Sequence, residues 1–179
     1  MKIQKDQVLE AELLGRVKSK MIGEPRPSTE RHLTDLIYCI THTYWKIMLP
    51  SEEVGDQQAL YFAAGLGLEK VLLETDGATN RPEPIDYHGI LMSADYVMPV
   101  AGGMAELKTT RANVEKYGWP VTWVRQMMGY AVGYGQTSYS LGVYELISAK
   151  IKGFRFEFDE EELKEFSDWL LWRKGQLEQ

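Results

Sequence analysis

The stretch that decides the fold is Ser93-Ala94-Asp95-Tyr96-Val97-Met98-Pro99-Val100-Ala101-Gly102-Gly103-Met104-Ala105-Glu106-Leu107-Lys108-Thr109-Thr110. Residues 87–98 and 103–109 read as two strands joined by a turn at Pro99–Gly102. Side chains alternate along a strand, so Glu106 and Lys108 share one face while Leu107 points to the other. The turn brings Asp95, on the first strand, up to Glu106 on the second. Two carboxylates on adjacent strands repel unless a cation joins them. Hard oxygen donors of this kind suit Mg²⁺ or Mn²⁺. Such an ion activates water and offsets the charge that develops on a phosphate. Lys108 is then placed to position or deprotonate that water, or to hold a phosphate oxygen. The competing reading is a surface hairpin in which Glu106 and Lys108 form a weak same-face ion pair.

Upstream of the hairpin the apolar spacing is helical. Residues 7–21 carry Val8, Leu13, Leu14 and Val17, and Gly23 with the Pro25–Pro27 stretch ends that helix. A second helix, led in by Ser28, repeats Leu33, Leu36, Ile37, Ile40, Tyr44 and Ile47 until Pro50 closes it. A third runs from Gln57 to Glu74, and residues 77–84 read as a loop. Downstream, Trp119–Pro120 opens a helix that reaches Gly133–Gly135, because proline suits a first helical turn. Residues 138–148 and 151–158 read as strands, with Lys152–Gly153 near their turn. In the second, Ile151, Phe154, Phe156 and Phe158 stand against Arg155 and Glu157. Asp159 caps a last amphipathic helix carrying Leu163, Phe166, Trp169, Leu170 and Trp172. The order α-α-α-β-β-α-β-β-α predicts an α/β fold with a mixed β-sheet flanked by helices. Residues 1–179 read as one domain, with a helical part over 1–75 and an α/β core over 76–179.

Composition narrows the chemistry. A 179-residue chain can bury a sizeable core without staples. Its single cysteine, Cys39, rules out an internal disulfide, a four-cysteine zinc site and an iron–sulfur cluster held by one chain. It also favours a reducing cytoplasm. The stretch Met1–Gly15 is charged and does not read as a signal peptide, and no apolar run approaches the ~20 residues of a membrane span. The net charge of −6 counts against a broad nucleic-acid coat, though not against a small basic track. Lys18, Lys20, Arg26, Arg31 and Lys46 all fall in the first third, far from the acidic run Asp159–Glu162. His32, His42 and His88 show no metal spacing. The aromatics Trp119, Trp123, Tyr134, Tyr139, Phe154, Phe156, Trp169 and Trp172 read mostly as core, and Tyr38, Tyr44 and Trp45 as part packing, part candidate base contacts. The glycines of 65–67 and 129–135 match no phosphate loop and read as close helix packing.

Gln126 and Tyr130, four residues apart, share one face of the helix after the hairpin. Such a face can order a water, touch a phosphate or stack a base, although alone it is more often just a helix surface. In order, Asp95, Glu106-Leu107-Lys108-Thr109-Thr110 and Gln126-Met127-Met128-Gly129-Tyr130 resemble the PD-(D/E)XK nuclease superfamily. The Gln-x-x-x-Tyr element resembles its RecB-like branch, which includes CRISPR-associated exonucleases of that type. Leu33-Thr34-Asp35-Leu36-Ile37-Tyr38-Cys39 is similar to the branch's opening helix, and Phe158-Asp159-Glu160-Glu161-Glu162-Leu163 to the start of its closing one. The likeness runs from Thr29 to the last helix.

The resemblance implies a restriction-endonuclease-like core that hydrolyses DNA phosphodiesters with Mg²⁺ or Mn²⁺. Asp95, Glu106 and the backbone carbonyl of Leu107 would bind the metal, Lys108 would be the catalytic lysine, and Gln126 and Tyr130 would line the site and contact DNA. Three departures stand out. Glu69, in Gly65-Leu66-Gly67-Leu68-Glu69, occupies the place where the branch often has a histidine ligand, and a carboxylate there keeps a hard-metal preference. The cluster cysteines of many relatives are absent apart from Cys39, and Ser93-Ala94 stands where a small residue often precedes the aspartate. An exonuclease is favoured, acting as a homo-oligomer or beside a partner protein of a recombination or CRISPR system. The rivals are a non-catalytic DNA-end-binding or assembly subunit of the same fold, and a structure-selective endonuclease.

Overall fold

The computed structural model describes residues 7–21, 30–48, 55–75, 78–79, 81–97 and 104–178, with helices first and the sheet after them. The leading helices are α1 (Gln7–Met21), α2 (Leu33–Ile37), α3 (Ile40–Met48) and α4 (Asp56–Leu73). Short strands follow: β1 (Glu74–Thr75), β2 (Ala78–Thr79), β3 (Ile85–Tyr87), β4 (Ile90–Met92) and β5 (Tyr96–Val97). Then come β6 (Met104–Thr110), α5 (Val114–Tyr117), α6 (Val121–Gly133), β7 (Ser138–Glu145), β8 (Lys150–Glu157) and α7 (Glu160–Leu177).

The main sheet has the order β5-β6-β7-β8, while β1–β2 and β3–β4 pair separately. β5 lies antiparallel to β6, with Tyr96 opposite Ala105. β6 lies parallel to β7, with Glu106 opposite Leu141 and Lys108 opposite Val143. β7 and β8 close the sheet antiparallel. A parallel neighbour cannot be reached through a tight turn, so the chain crosses over through α5 and α6. The sheet is therefore mixed, as the element order predicts.

Alternation along β7 buries Tyr139, Leu141 and Val143 on the face that carries Glu106 and Lys108. There they join Met127 and Tyr130 of α6, Phe166 and Leu170 of α7, and Leu33, Leu36 and Ile37 of α2 in one core. α4 lies across the opposite face. A Cβ on Gly65 would stand 3.2 Å from Thr109 Oγ1, and one on Gly142 would stand 2.8 Å from Leu107 Cδ2. Close packing also explains Gly129 and Gly133, whose missing Cβ positions are filled by Leu33 and Met92, but not Gly67 or Gly135, which meet nothing within 4 Å. The closing helix starts as its sequence predicts. Glu162 N–H donates to Asp159 Oδ1 (2.7 Å) and Asp159 N–H donates back to Glu162 Oε2 (3.1 Å), which satisfies two orphan donors.

Several expectations change. The second helix is not continuous: Tyr38 turns extended (φ −87°, ψ −168°) and the helix restarts at Ile40. The break frees the Tyr38 carbonyl, and the Arg173 guanidinium of α7 donates to it. The strand read over 87–98 is a hairpin followed by a separate short strand. His88 and Gly89 both take positive φ (52° and 76°), the geometry of a two-residue hairpin turn. Asp86 Oδ1 accepts from Gly89 N–H (2.7 Å), and the His88 carbonyl accepts from Lys174 Nζ (2.9 Å). The loop read over 77–84 contains β2. The β7–β8 turn falls at 146–149 rather than near Lys152–Gly153, which sit inside β8 opposite Val143 and Gly142. The short α5 is capped by Asn113, whose Oδ1 accepts from Lys116 N–H (3.1 Å), and Pro120 is the N-cap of α6 rather than part of its first turn. Trp172, read as core, is 59% exposed, and Tyr44, read as either packing or a base contact, is 43% exposed. Trp169 does pack, between the guanidiniums of Arg125 and Arg173 (4.7 and 4.8 Å). Gly23, the Pro25–Pro27 stretch, Ser28, Pro50 and the turn at Pro99–Gly102 lie outside the described residues.

Candidate active site

Asp95 stands just before β5, and its Oδ2 accepts the Leu107 N–H across the hairpin (2.9 Å). That bond ties the first carboxylate to the backbone between Glu106 and Lys108. Glu106 is 3% exposed. Its Oε1 accepts from Lys108 Nζ at 2.5 Å and from Gln126 Nε2 at 2.7 Å. Gln126 Nε2 also donates to the Tyr130 hydroxyl (3.0 Å), which donates to the Ser93 carbonyl (2.7 Å). A primary amide has two hydrogens, so both are used and the side chain is fixed in orientation. A hydrogen-bonded chain thus runs from the strand carrying Glu106, through one turn of α6, to the segment that leads to Asp95.

Glu106 Oε2 is buried and accepts no hydrogen bond. Burial pushes the carboxyl up, from 4.5 to about 8, against the pull of Lys108 and with the help of the Asp95 charge. Burial likewise raises the Tyr130 phenol, and the neighbouring Glu106 raises it further, so it stays a neutral donor. The buried carboxyl therefore keeps its proton until a cation offsets its charge.

Glu69, in the last turns of α4, faces this region. With Leu107 and Lys108 it lines a cleft of about 480 Å³ between α4 and the sheet, walled by Tyr61, Phe62, Leu66, Tyr144 and Ile151. At the far edge Arg111 donates to the Tyr61 hydroxyl (2.5 Å). The Glu69 carboxylate pairs with Arg81, and the same guanidinium nitrogen lies 3.9 Å from Asp95 Oδ1.

The structure therefore brings Asp95, Glu106, Lys108, Gln126 and Tyr130 together, while Glu69 lines the neighbouring cleft with Leu107 and Lys108 and is joined to Asp95 through Arg81. Leu107 contributes its N–H to Asp95, and its side chain fills the space over Gly142. Gln126 and Tyr130 are 3% and 4% exposed, so they face Glu106 and Ser93 rather than an open channel. Among the basic residues picked out of the first third, Lys18 pairs with Asp56, and Arg26 lies outside the described residues. Sequence reasoning missed Arg81 and the Ser93 carbonyl. Neither follows a periodicity, and only the fold brings them in. Among the described residues, no three His, Cys, Asp or Glu side chains gather in the arrangement of a metal centre. The donors fit a hard divalent cation all the same: they are carboxylate oxygens, one of them buried and bare, beside a second carboxylate held by the hairpin.

No protein-family model and no curated protein matches the chain. Solved structures do. SSO0001 is 18% identical, with a TM-score of 0.62 over 91% of this chain and 85% of its own. A phage-related exonuclease from Haemophilus somnus is 10% identical, with a TM-score of 0.56 over 83% of this chain and 93% of its own. The alkaline exonuclease LHK-Exo from Laribacter hongkongensis is 12% identical, with a TM-score of 0.55 over 92% of both chains. In a further structure LHK-Exo is in complex with dAMP. The chain thus has the fold of these exonucleases, a restriction-endonuclease type in which a mixed sheet is flanked by helices.

Proposed function

We propose that this chain hydrolyses DNA phosphodiesters with Mg²⁺ or Mn²⁺ and acts as an exonuclease. One observation carries the reading: Glu106 is buried with one oxygen bare, Lys108 shares its strand face, and Asp95 is tied to the N–H between them. Asp95, Glu106 and the Leu107 carbonyl would hold the ion, with Glu69 joining from the neighbouring cleft. When bound, the ion supplies an activated water and a counter-charge for the phosphate. Lys108 holds that water or a phosphate oxygen, and its ammonium remains beside the charge that develops. Gln126 and Tyr130 are positioning residues in this scheme, fixing the Glu106 carboxylate through the chain that ends at Ser93. That is narrower than the DNA contact the family resemblance implies for them. The apolar cleft beside Lys108 gives unpaired bases a wall to lie against.

Action from DNA ends is supported by two of the fold neighbours, which are themselves exonucleases. The RecB-like branch rests on the Gln126–Tyr130 spacing. A cytoplasmic nuclease domain spanning 1–179, with a second copy or a recombination or CRISPR protein as partner, belongs to the same reading.

The test is digestion of linear duplex DNA with and without Mn²⁺, with a covalently closed circle as control. Linear DNA should disappear only with metal, and the circle should survive. Glu106→Ala and Lys108→Ala should each lower the rate by at least about a thousandfold, ~4 kcal/mol of barrier, while still melting cooperatively. Wild-type cutting in both variants would remove the assignment. A second reading, a DNA-end-binding subunit without turnover, is favoured by the Arg81 guanidinium lying between Glu69 and Asp95. It predicts binding without cleavage in any divalent metal.

A further inference from the structure

We propose that Arg81 is the exchangeable counter-ion of this cleft: it holds Glu69 and Asp95 until a divalent cation takes them, and then binds a phosphate of the DNA strand. This rests on the metal-dependent reading above. One guanidinium nitrogen contacts Glu69 Oε1 and stands 3.9 Å from Asp95 Oδ1. Glu69 comes from α4, Asp95 from the approach to β5 and Arg81 from the segment before β3, so three separate pieces of chain meet at one cation. The Glu69 and Asp95 side chains are 21% and 19% exposed, and that of Arg81 is 49% exposed. The carboxylates therefore face inward, with the guanidinium on their solvent side.

Two carboxylates so placed repel each other unless a cation joins them. The guanidinium is the cation that joins them here. A competing cation can take its place. A divalent ion concentrates two charges at a point and binds carboxylate oxygens at about 2.0–2.1 Å, inside the range of any guanidinium hydrogen bond. An ion that takes Glu69 Oε1 and Asp95 Oδ1 occupies the oxygens the guanidinium faces, so loading there displaces the arginine. Among the described residues beside the cleft, Lys108 is engaged with Glu106 and Arg111 with the Tyr61 hydroxyl (both 2.5 Å). Pro82 and Pro84 bias Arg81 and Glu83 toward extended backbone, which keeps the freed side chain near the mouth. There a guanidinium fork is matched to phosphate oxygens.

Calorimetric titration of the full chain with Mn²⁺ alone, in wild type, Arg81→Gln and Arg81→Lys, tests the exchange. Arg81→Gln should bind Mn²⁺ about two- to fivefold more tightly, the range for a partly exposed ion pair, with Arg81→Lys between it and wild type. Equal or weaker Mn²⁺ binding by Arg81→Gln overturns the exchange while leaving the metal-dependent reading in place. Wild type that binds no Mn²⁺ overturns both. If Arg81→Gln fails to melt cooperatively, Arg81→Lys decides, and a Mn²⁺ affinity equal to wild type there overturns the exchange. The phosphate half is read from binding of a short single-stranded oligonucleotide with Mn²⁺ in a Lys108→Ala background. Arg81→Gln should weaken it about tenfold, the worth of one charge-assisted contact, and unchanged affinity overturns that half.

Discussion

Glu106 makes stability depend on pH in a direction opposite to an ordinary surface carboxylate. Its folded-state proton is held up to about 8, whereas the unfolded chain releases it near 4.5. Between those values the native state binds more protons, so the metal-free protein loses stability as pH rises through the window. Glu106→Gln keeps the shape without the titration. Its stability relative to wild type should therefore grow with pH up to about 8 and then level off, measured by urea unfolding; a constant difference would show that the carboxyl titrates normally. Metal needs the ionised carboxylate, so Mn²⁺ affinity should rise through the same window. Gln126→Ala removes the donor to Glu106 Oε1 and leaves the Tyr130 hydroxyl without its second partner. Cleavage should fall by roughly ten- to a thousandfold, about 1.4–4 kcal/mol of barrier, with cooperative melting retained. Tyr130→Phe keeps the ring in the core and loses only the hydroxyl's bonds to Gln126 and Ser93, so it should be milder than Tyr130→Ala; equal rates for both would deny the ring a part. Glu106, Lys108, Gln126 and Tyr130 could be grouped from the sequence because each sits at a fixed step on a regular element, whereas Asp95, read as part of a strand, stands in a bend just before β5. The buried state of Gln126 was not legible, since spacing reveals a shared face but not what that face meets.

At the scale of elements, α6 is the part the sequence described best and constrained most tightly. It carries the positioning pair on one face and closes on α2 through Gly129. A Cβ there would stand 2.5 Å from Leu33 Cδ1 and 2.7 Å from Cδ2, and Leu33 is only 2% exposed. Gly129→Ala should therefore destabilise by about 1–3 kcal/mol even after the helix propensity it gains. Gly175→Ala, in open space on α7, should be neutral or stabilising by up to about 1 kcal/mol. Chemical denaturation of both variants checks the contrast, and a Gly129→Ala protein as stable as wild type would mean the α2–α6 contact is loose. Strand content was harder to read around Tyr87–Val97. Apolar residues continue through that stretch, yet His88 and Gly89 reverse the chain, a backbone event that His-Gly signals far more weakly than Asn-Gly. The break at Tyr38 was hidden for a related reason: the helical spacing of apolar residues persists across it, and the arginine that accommodates it comes from α7.

Across the whole molecule, burial is uneven. The described side chains of α1 include none that is buried, and in α4 Ala59 alone is, while α6, α7 and β7 supply most of the core. Hydrogen exchange should accordingly open α1 and α4 first and β7 last. Mn²⁺ should slow exchange at the end of α4 if Glu69 joins the ion; no slowing there would detach Glu69 from the site. The mixed α/β class followed from the order of elements, but the parallel pairing of β6 with β7 did not, because the register of distant strands is set by how the crossover packs. The turn at 146–149 has a consequence of its own. Every residue assigned a part in the chemistry, from Glu69 to Tyr130, lies before it, and β8 with α7 lies after it. A chain cut at that exposed tip, where Ile147 is 75% exposed, would leave all the reactive groups on one fragment and only their scaffolding on the other. Cutting could then be made to depend on two separately made pieces finding each other, a split reporter for which this fold already supplies the seam.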